Sequence, residues 1–205
     1  LRLLEIIPTN FTDKNVTDFM LDFGSKILGK TTVLCKDTPA FIANRVGVFA
    51  IQELFHIVHE MDLSVADVDL LTGPIMGRPK SATFRTADVV GLDVMQFVAN
   101  TAFNKCENDN FRDQYVIHDK VQHLIDKQFL GQKSGSGFYK KIDKGLIHVF
   151  DFEKMDYRPQ AKKRFKAITL AKETNNLQSQ LRAAIFCDDE AGDFLWSITS
   201  QSLQY

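Results

Sequence analysis

From Ala40 to about Met61, apolar and polar residues recur with the period of an α-helix, and Gly47 is the only interior Gly or Pro. Thr38 is a cap residue and Pro39 suits the first helical position, where its missing N–H costs nothing. Arg45, Gln52, Glu53, His56, His59 and Glu60 fall on one polar arc, with Val48, Ile51, Phe55 and Val58 among the apolar remainder. Asn44 departs from this division, because it lies within the arc of Val48, Ile51 and Phe55. An amide there needs partners, either nearby backbone just inside the helix or a bound group.

Upstream, Leu3–Ile7 is a short strand-like run ended by Pro8, and alternation puts Glu5 on one face with Leu3 and Ile7. Such a carboxylate sits on a solvated edge or is held against a partner. Thr12 is positioned to cap a helix from about Asp13 to Leu28, Gly29 ends it, and Thr31–Cys35 reads as a second strand. Strand, helix and strand in this order resemble the end of a dinucleotide-binding sheet, without the glycine-rich turn of its first unit.

Downstream, Ser64 caps a short helix with Asp67 in its first turn, and 73–79 is a turn-rich crossing. In that crossing Arg78 and Lys80 are either solvated loop cations or phosphate contacts. Asp93 starts a helix reaching about Thr101, and periodicity returns from Asp119 to Phe129. Ile147–Phe150 is strand-like, 154–164 is charged and linker-like, and helical potential resumes at Ile168–Lys172 and Gln178–Phe186. Cys187–Leu195 loosely repeats the order of Cys, Asp and Phe in Cys35–Ile42, and each stretch leads into a helical run.

A hydrophobic content of 44% and a charged content of 25% over 205 residues are those of a globular protein with a real core. Net charge of −1 gives no electrostatic reason to expect nucleic acid or an anionic membrane. No apolar run approaches the ~18 residues of a membrane span. Cys35, Cys106 and Cys187 are far apart, which suits a reducing compartment, taken here as the cytoplasm, and argues against disulfides or a zinc–thiolate site. His56 and His59 lie one turn apart but lack a third ligand at a companion spacing, so no metal is expected. Gly131–Tyr139 has three glycines beside Lys133 and Ser134, yet Lys133 precedes the Gly-x-Gly pair and no G-K-[ST] follows, so it is not a free-standing phosphate loop.

Several of these stretches together resemble the 3-hydroxyacyl-CoA dehydrogenases of fatty-acid β-oxidation. C-K-D-T-P-A-F-I-A-N-R (35–45) resembles the segment that opens the family's helical C-terminal domain, with Ala40 where the family usually has Gly. L-L-E-I-I (3–7), T-F-R-T-A-D-V-V-G-L-D (83–93, with Arg85 in place of an acidic residue) and G-Q-K-S-G-S-G-F-Y (131–139) match in order. The resemblance implies that Glu5 is catalytic, hydrogen-bonding and orienting a His a dozen residues upstream, before Leu1. It implies that Asn44 lies beside the acyl-CoA substrate and that Lys133 reaches the bound NAD.

The implied fold is mainly α: residues 1–35 are the tail of an NAD-binding domain and 36–143 the helical C-terminal domain. Residues 144–186 are then linker and helices, and 187–205 the possible start of a second helical copy. The implied function is part of an NAD-dependent enzyme oxidising (3S)-3-hydroxyacyl-CoA, with the helical part binding substrate and mediating domain pairing. The alternative is a non-catalytic helical assembly module. The opening on an apolar run without Met leads to the expectation of a piece of a longer protein, inactive by itself. Because the 40–61 helix is apolar over more than half its circumference, the purified piece is expected to self-associate as a dimer. Sedimentation at low micromolar concentration tests this, and a clean monomer would show that the chain closes its own core.

Overall fold

A computed structural model describes residues 2–61, 63–161 and 163–205, with the side chains of His59 and Lys144 outside the described set. β1 (Leu3–Ile6) and β2 (Thr31–Leu34) pair in parallel, with Glu5 opposite Val33. α1 (Lys14–Asp22) crosses between them and widens into a π-helical turn at Phe23–Ile27. Its cap is Asp13, which accepts from the Asn15 amide, rather than Thr12. Thr12 instead accepts from the Thr9 amide in the preceding turn. Gly29, at φ +60°, ends the crossover as expected.

The remainder is mainly helical. α2 (Ala43–Glu60), α3 (Val65–Thr72), α4 (Phe84–Val90), α5 (Leu92–Lys105) and α6 (Asp119–Asp126) follow in order. A three-stranded antiparallel sheet comes next: β3 (Tyr139–Lys141), β4 (Ile147–Asp151) and β5 (Asp156–Pro159). β5 lies inside the stretch expected to be linker. α7 (Lys166–Lys172), α8 (Leu177–Ile185) and α9 (Glu190–Gln204) complete the chain. Ser64 and Asp67 form the capping box read from the sequence.

The polar arc of α2 is divided: His56 and Glu60 are exposed, whereas its middle faces inward. Gln52 and Glu53 are buried, as are Phe49 and Phe55. The reason is that α5 and α9 both pack along this helix. Phe49 stacks on Tyr205 at 4.3 Å and meets Phe111 edge-on, while Phe55 packs with Phe84, Phe138 and Phe152. The apolar surplus behind the expectation of self-association is therefore largely covered within the chain. Burial of this part of the helix also traps polar residues: among the described residues neither amide atom of Gln52 has a hydrogen-bond partner.

Two buried carboxylates tie these layers together. Asp69 of α3 accepts from the amides of Thr83, Phe84 and Arg85, which fixes the start of α4, and from the Tyr139 hydroxyl at 2.8 Å. Asp88 of α4 accepts from the amides of Phe138 and Tyr139 at 2.8 and 2.9 Å. The glycine-rich loop exists to let this happen. A Cβ on Gly137 would lie 2.1 Å from an Asp88 carboxylate oxygen, and one on Gly131 2.2 Å from the Asp88 carbonyl. The two sequence motifs holding Asp88 and Phe138–Tyr139 are thus two halves of one contact.

Burial pushes Asp88 up to about 6, against the pull of the two amides, and burial raises Asp69 as well. Asp88→Ala leaves two buried N–H groups without an acceptor and is expected to cost about 2–4 kcal/mol. Because the folded-state value lies above the ordinary one, the stability linked to Asp88 titration is present below about pH 4 and lost as pH rises through about 6. Asp88→Asn, which cannot ionise, should gain on the wild type between pH 4 and pH 7. Urea midpoints at the two pH values check this, and a pH-independent difference would remove Asp88 from the titration.

Candidate active site

Glu5 lies on β1, a strand too short to stand alone and aligned by its parallel pairing with β2. Its side chain reaches the start of α2, where one carboxylate oxygen accepts from the amides of Ile42 at 3.1 Å and Ala43 at 2.8 Å. A helix start has unsatisfied N–H groups and partial positive charge, so a carboxylate from another element can serve as its cap. Ile42 provides no side-chain cap of its own. No backbone amide among the described residues donates to the second Glu5 oxygen, and the Cys35 thiol is the side chain that neighbours the carboxylate. Burial, then the Glu5 charge and a hydrogen bond to Glu5, push that thiol above its ordinary value.

α2 starts three residues later than its sequence signals suggest. Thr38 and Pro39 lie in a turn, followed by Ala40 and Phe41 at φ +62° and +51°. Two consecutive left-handed L-residues cost roughly 1–2 kcal/mol each, and Ala40 stands where the resembling segment usually has glycine. The tight reversal directs the chain from β2 into α2 and delivers the Ile42 and Ala43 amides to Glu5.

Asn44 follows directly, in the first turn of α2, and is exposed rather than buried. No side-chain hydrogen bond engages it among the described residues, so neither a local backbone partner nor another residue occupies its amide. The structure brings Glu5 and Asn44 together at one helix start. Lys133 is not joined to them. It forms an ion pair with Asp93 in the first turn of α5, passing over Gly91, and holds Asp93 below the usual carboxylate range.

Arg45, absent from the sequence-derived site, anchors this end of α2. It pairs with Asp109, and its Nε donates to the Tyr205 hydroxyl at 3.0 Å. That hydroxyl in turn donates to Asp109 at 2.9 Å. Burial alone would raise Asp109, but the Phe111 amide, the Tyr205 hydroxyl and Arg45 bring it below its ordinary value. The motif's Asn-Arg pair gave the signal; what it lacked was the partner 64 residues on. Among the described residues no three potential metal ligands cluster, and the His59 side chain lies outside them. His56 meets His118 edge-on instead.

Residues 41–141 match the family described as "3-hydroxyacyl-CoA dehydrogenase, C-terminal domain". A probable 3-hydroxyacyl-CoA dehydrogenase of Bacillus subtilis is 42% identical over 205 residues, all of this chain and 26% of that protein. This chain belongs to the 3-hydroxyacyl-CoA dehydrogenase family. A second relative, a probable 3-hydroxyacyl-CoA dehydrogenase of Deinococcus radiodurans, is 42% identical over 141 residues, covering 69% of this chain and 40% of its own length. Among solved structures, FadB2 of M. tuberculosis superposes with a TM-score of 0.58 at 28% identity, over 69% of this chain and 48% of that one. The chain therefore spans between about a quarter and a half of these three relatives, and it contains the helical C-terminal domain of the dehydrogenase family.

Ala40→Gly relieves one left-handed alanine and should stabilise the protein by about 1 kcal/mol. Thermal unfolding measures this, and a lower midpoint would mean that the Ala40 side chain makes packing contacts worth more than the strain.

Proposed function

We propose that this chain forms the substrate-facing part of an NAD-dependent enzyme that oxidises (3S)-3-hydroxyacyl-CoA to 3-oxoacyl-CoA in fatty-acid β-oxidation. The observation that carries the reading is the Glu5 carboxylate, bound through one oxygen to the start of α2, with an unengaged Asn44 amide in the same helical turn. In this reading the other oxygen of Glu5 bonds the far ring nitrogen of a His supplied by the preceding part of the protein. It orients the imidazole and stabilises the imidazolium that forms when the substrate's 3-hydroxyl proton is taken. Asn44 positions the reacting end of the acyl-CoA, and the helical body walls off water.

NAD, when bound to the whole protein, supplies the hydride acceptor. The residues of this chain do not by themselves build a dinucleotide site. The link between β1 and α1 (residues 7–13) contains no glycine, so its backbone lacks the close turn that cradles a pyrophosphate. Lys133 is a secondary contact in this reading, reached by exchanging Asp93 for the dinucleotide. Pairing with a second helical copy is supported by the apolar side chains still exposed on α4 and α5: Val90, Val94 and Phe97. The three cysteines are free, in keeping with a reducing compartment such as the cytoplasm, and among the described residues no helix is long and apolar enough to cross a membrane.

In the whole protein, Glu5→Gln should lower kcat by about 10²–10⁴ with KM for NAD unchanged. Asn44→Ala should raise KM for acyl-CoA and lower kcat together. Steady-state kinetics against both substrates measure these effects. Unchanged turnover in Glu5→Gln would remove the carboxylate from the mechanism.

A further inference from the structure

A second cavity lies away from the start of α2, between α4, the glycine-rich loop and the three-stranded sheet. It holds about 460 Å³, within the size range of small-molecule sites. Val89, Ile147 and the Tyr139 ring supply apolar wall, Gly131 and Gly135 bring backbone to the surface, and Arg85, Lys140 and Lys141 contribute three cations.

The charge balance of this cavity is unusual. None of the three cations makes an ion pair among the described residues. Arg85 lies over the Tyr139 ring at 4.0 Å, and Lys140 faces the Tyr157 ring at 5.1 Å. These contacts orient a cation without pairing it to a carboxylate. Among the described residues Asp88 is the one carboxylate in the lining, and its two oxygens accept from the Phe138 and Tyr139 amides. That contact also joins α4, which carries Arg85, to the start of β3, which carries Lys140 and Lys141. The site is therefore a preformed apolar recess with a net positive rim, and Arg85 stands where the resembling segment often has an acidic residue.

We propose that this recess binds a small anionic amphiphile, a carboxylate or phosphate monoester on an aliphatic body, with Arg85 and Lys141 meeting the anion and Val89 and Ile147 meeting the tail. Guanidinium on an aromatic face presents its N–H fork outward, the arrangement that suits either oxyanion. This site is separate from the acyl-CoA position assigned above and does not depend on it.

The test follows the methyl resonances of Val89 and Ile147 in the whole protein during titration with octanoate, octyl phosphate, octanol and octyltrimethylammonium. Saturable shifts with octanoate or octyl phosphate, at Kd of about 0.1–1 mM and weakened by salt, support the proposal, and the stronger of the two identifies the head group. Arg85→Gln should weaken binding about tenfold or more. Lys141→Glu, at an exposed strand position where folding is not at risk, should weaken it as well. Absence of shifts with both anions, equal binding of octanol or the cationic amphiphile, or affinity unchanged in both variants would each overturn it.

Discussion

A backbone N–H that loses water without finding an acceptor costs about 1–3 kcal/mol, and this chain meets that constraint repeatedly with carboxylates from distant segments. Glu5 holds the amides that open α2, Asp69 those that open α4, and Asp88 those that open β3. Asp189 does the same locally for α9 through Gly192 and reaches the Ala167 amide at the start of α7. Each contact both satisfies a segment's first donors and fixes where that segment begins relative to another. The layers are thereby located by polar contacts at their ends, while aromatic packing around Phe55 and Phe49 fills the space between. Removing such an acid does more than delete a bond, since it frees the entry point of the element it holds.

The arrangement has an electrostatic consequence. Asp69 and Asp88 face backbone dipoles without a cation in ion-pair contact, and burial raises both. Arg85 is close enough for its charge to favour ionised Asp88, yet it lies on the Tyr139 ring rather than on either carboxylate. A buried ion pair would have engaged its guanidinium directly, whereas here the ring holds it.

Much of the architecture was legible in local patterns. The β1–α1–β2 crossover, the Ser64–Asp67 box and the strand at Ile147–Phe150 are each set by side chains a few residues apart, so a linear reading captures them. The start of α2 was misread because Thr38 and Pro39 are ordinary helix-opening residues, while the true cap, Glu5, lies 38 residues upstream of Ala43. The inward burial of Gln52 and Glu53 was equally invisible, since it depends on α9 arriving from the far end of the chain. Of the candidate site residues, Glu5 and Asn44 meet at one helix start, whereas Lys133 engages Asp93. The motifs containing Asp88 and Phe138 were recognisable separately, but nothing in their spacing says that they bind each other.

The left-handed pair Ala40–Phe41 is the only covalent route from β2 into α2, and α2 is about 27 Å long at 1.5 Å per residue. It is a lever arm with its pivot next to the chemistry. A rotation of about 10° at Phe41 would carry the far end of α2 by about 5 Å, while Ala43 and Asn44, near the axis, would hardly move. Motion of the helical body relative to the strands is thus geared down at the candidate site and magnified at Glu60. The two hydrogen bonds from Glu5 act at the short end of that lever, where a small displacement corresponds to a large swing of everything packed along the helix.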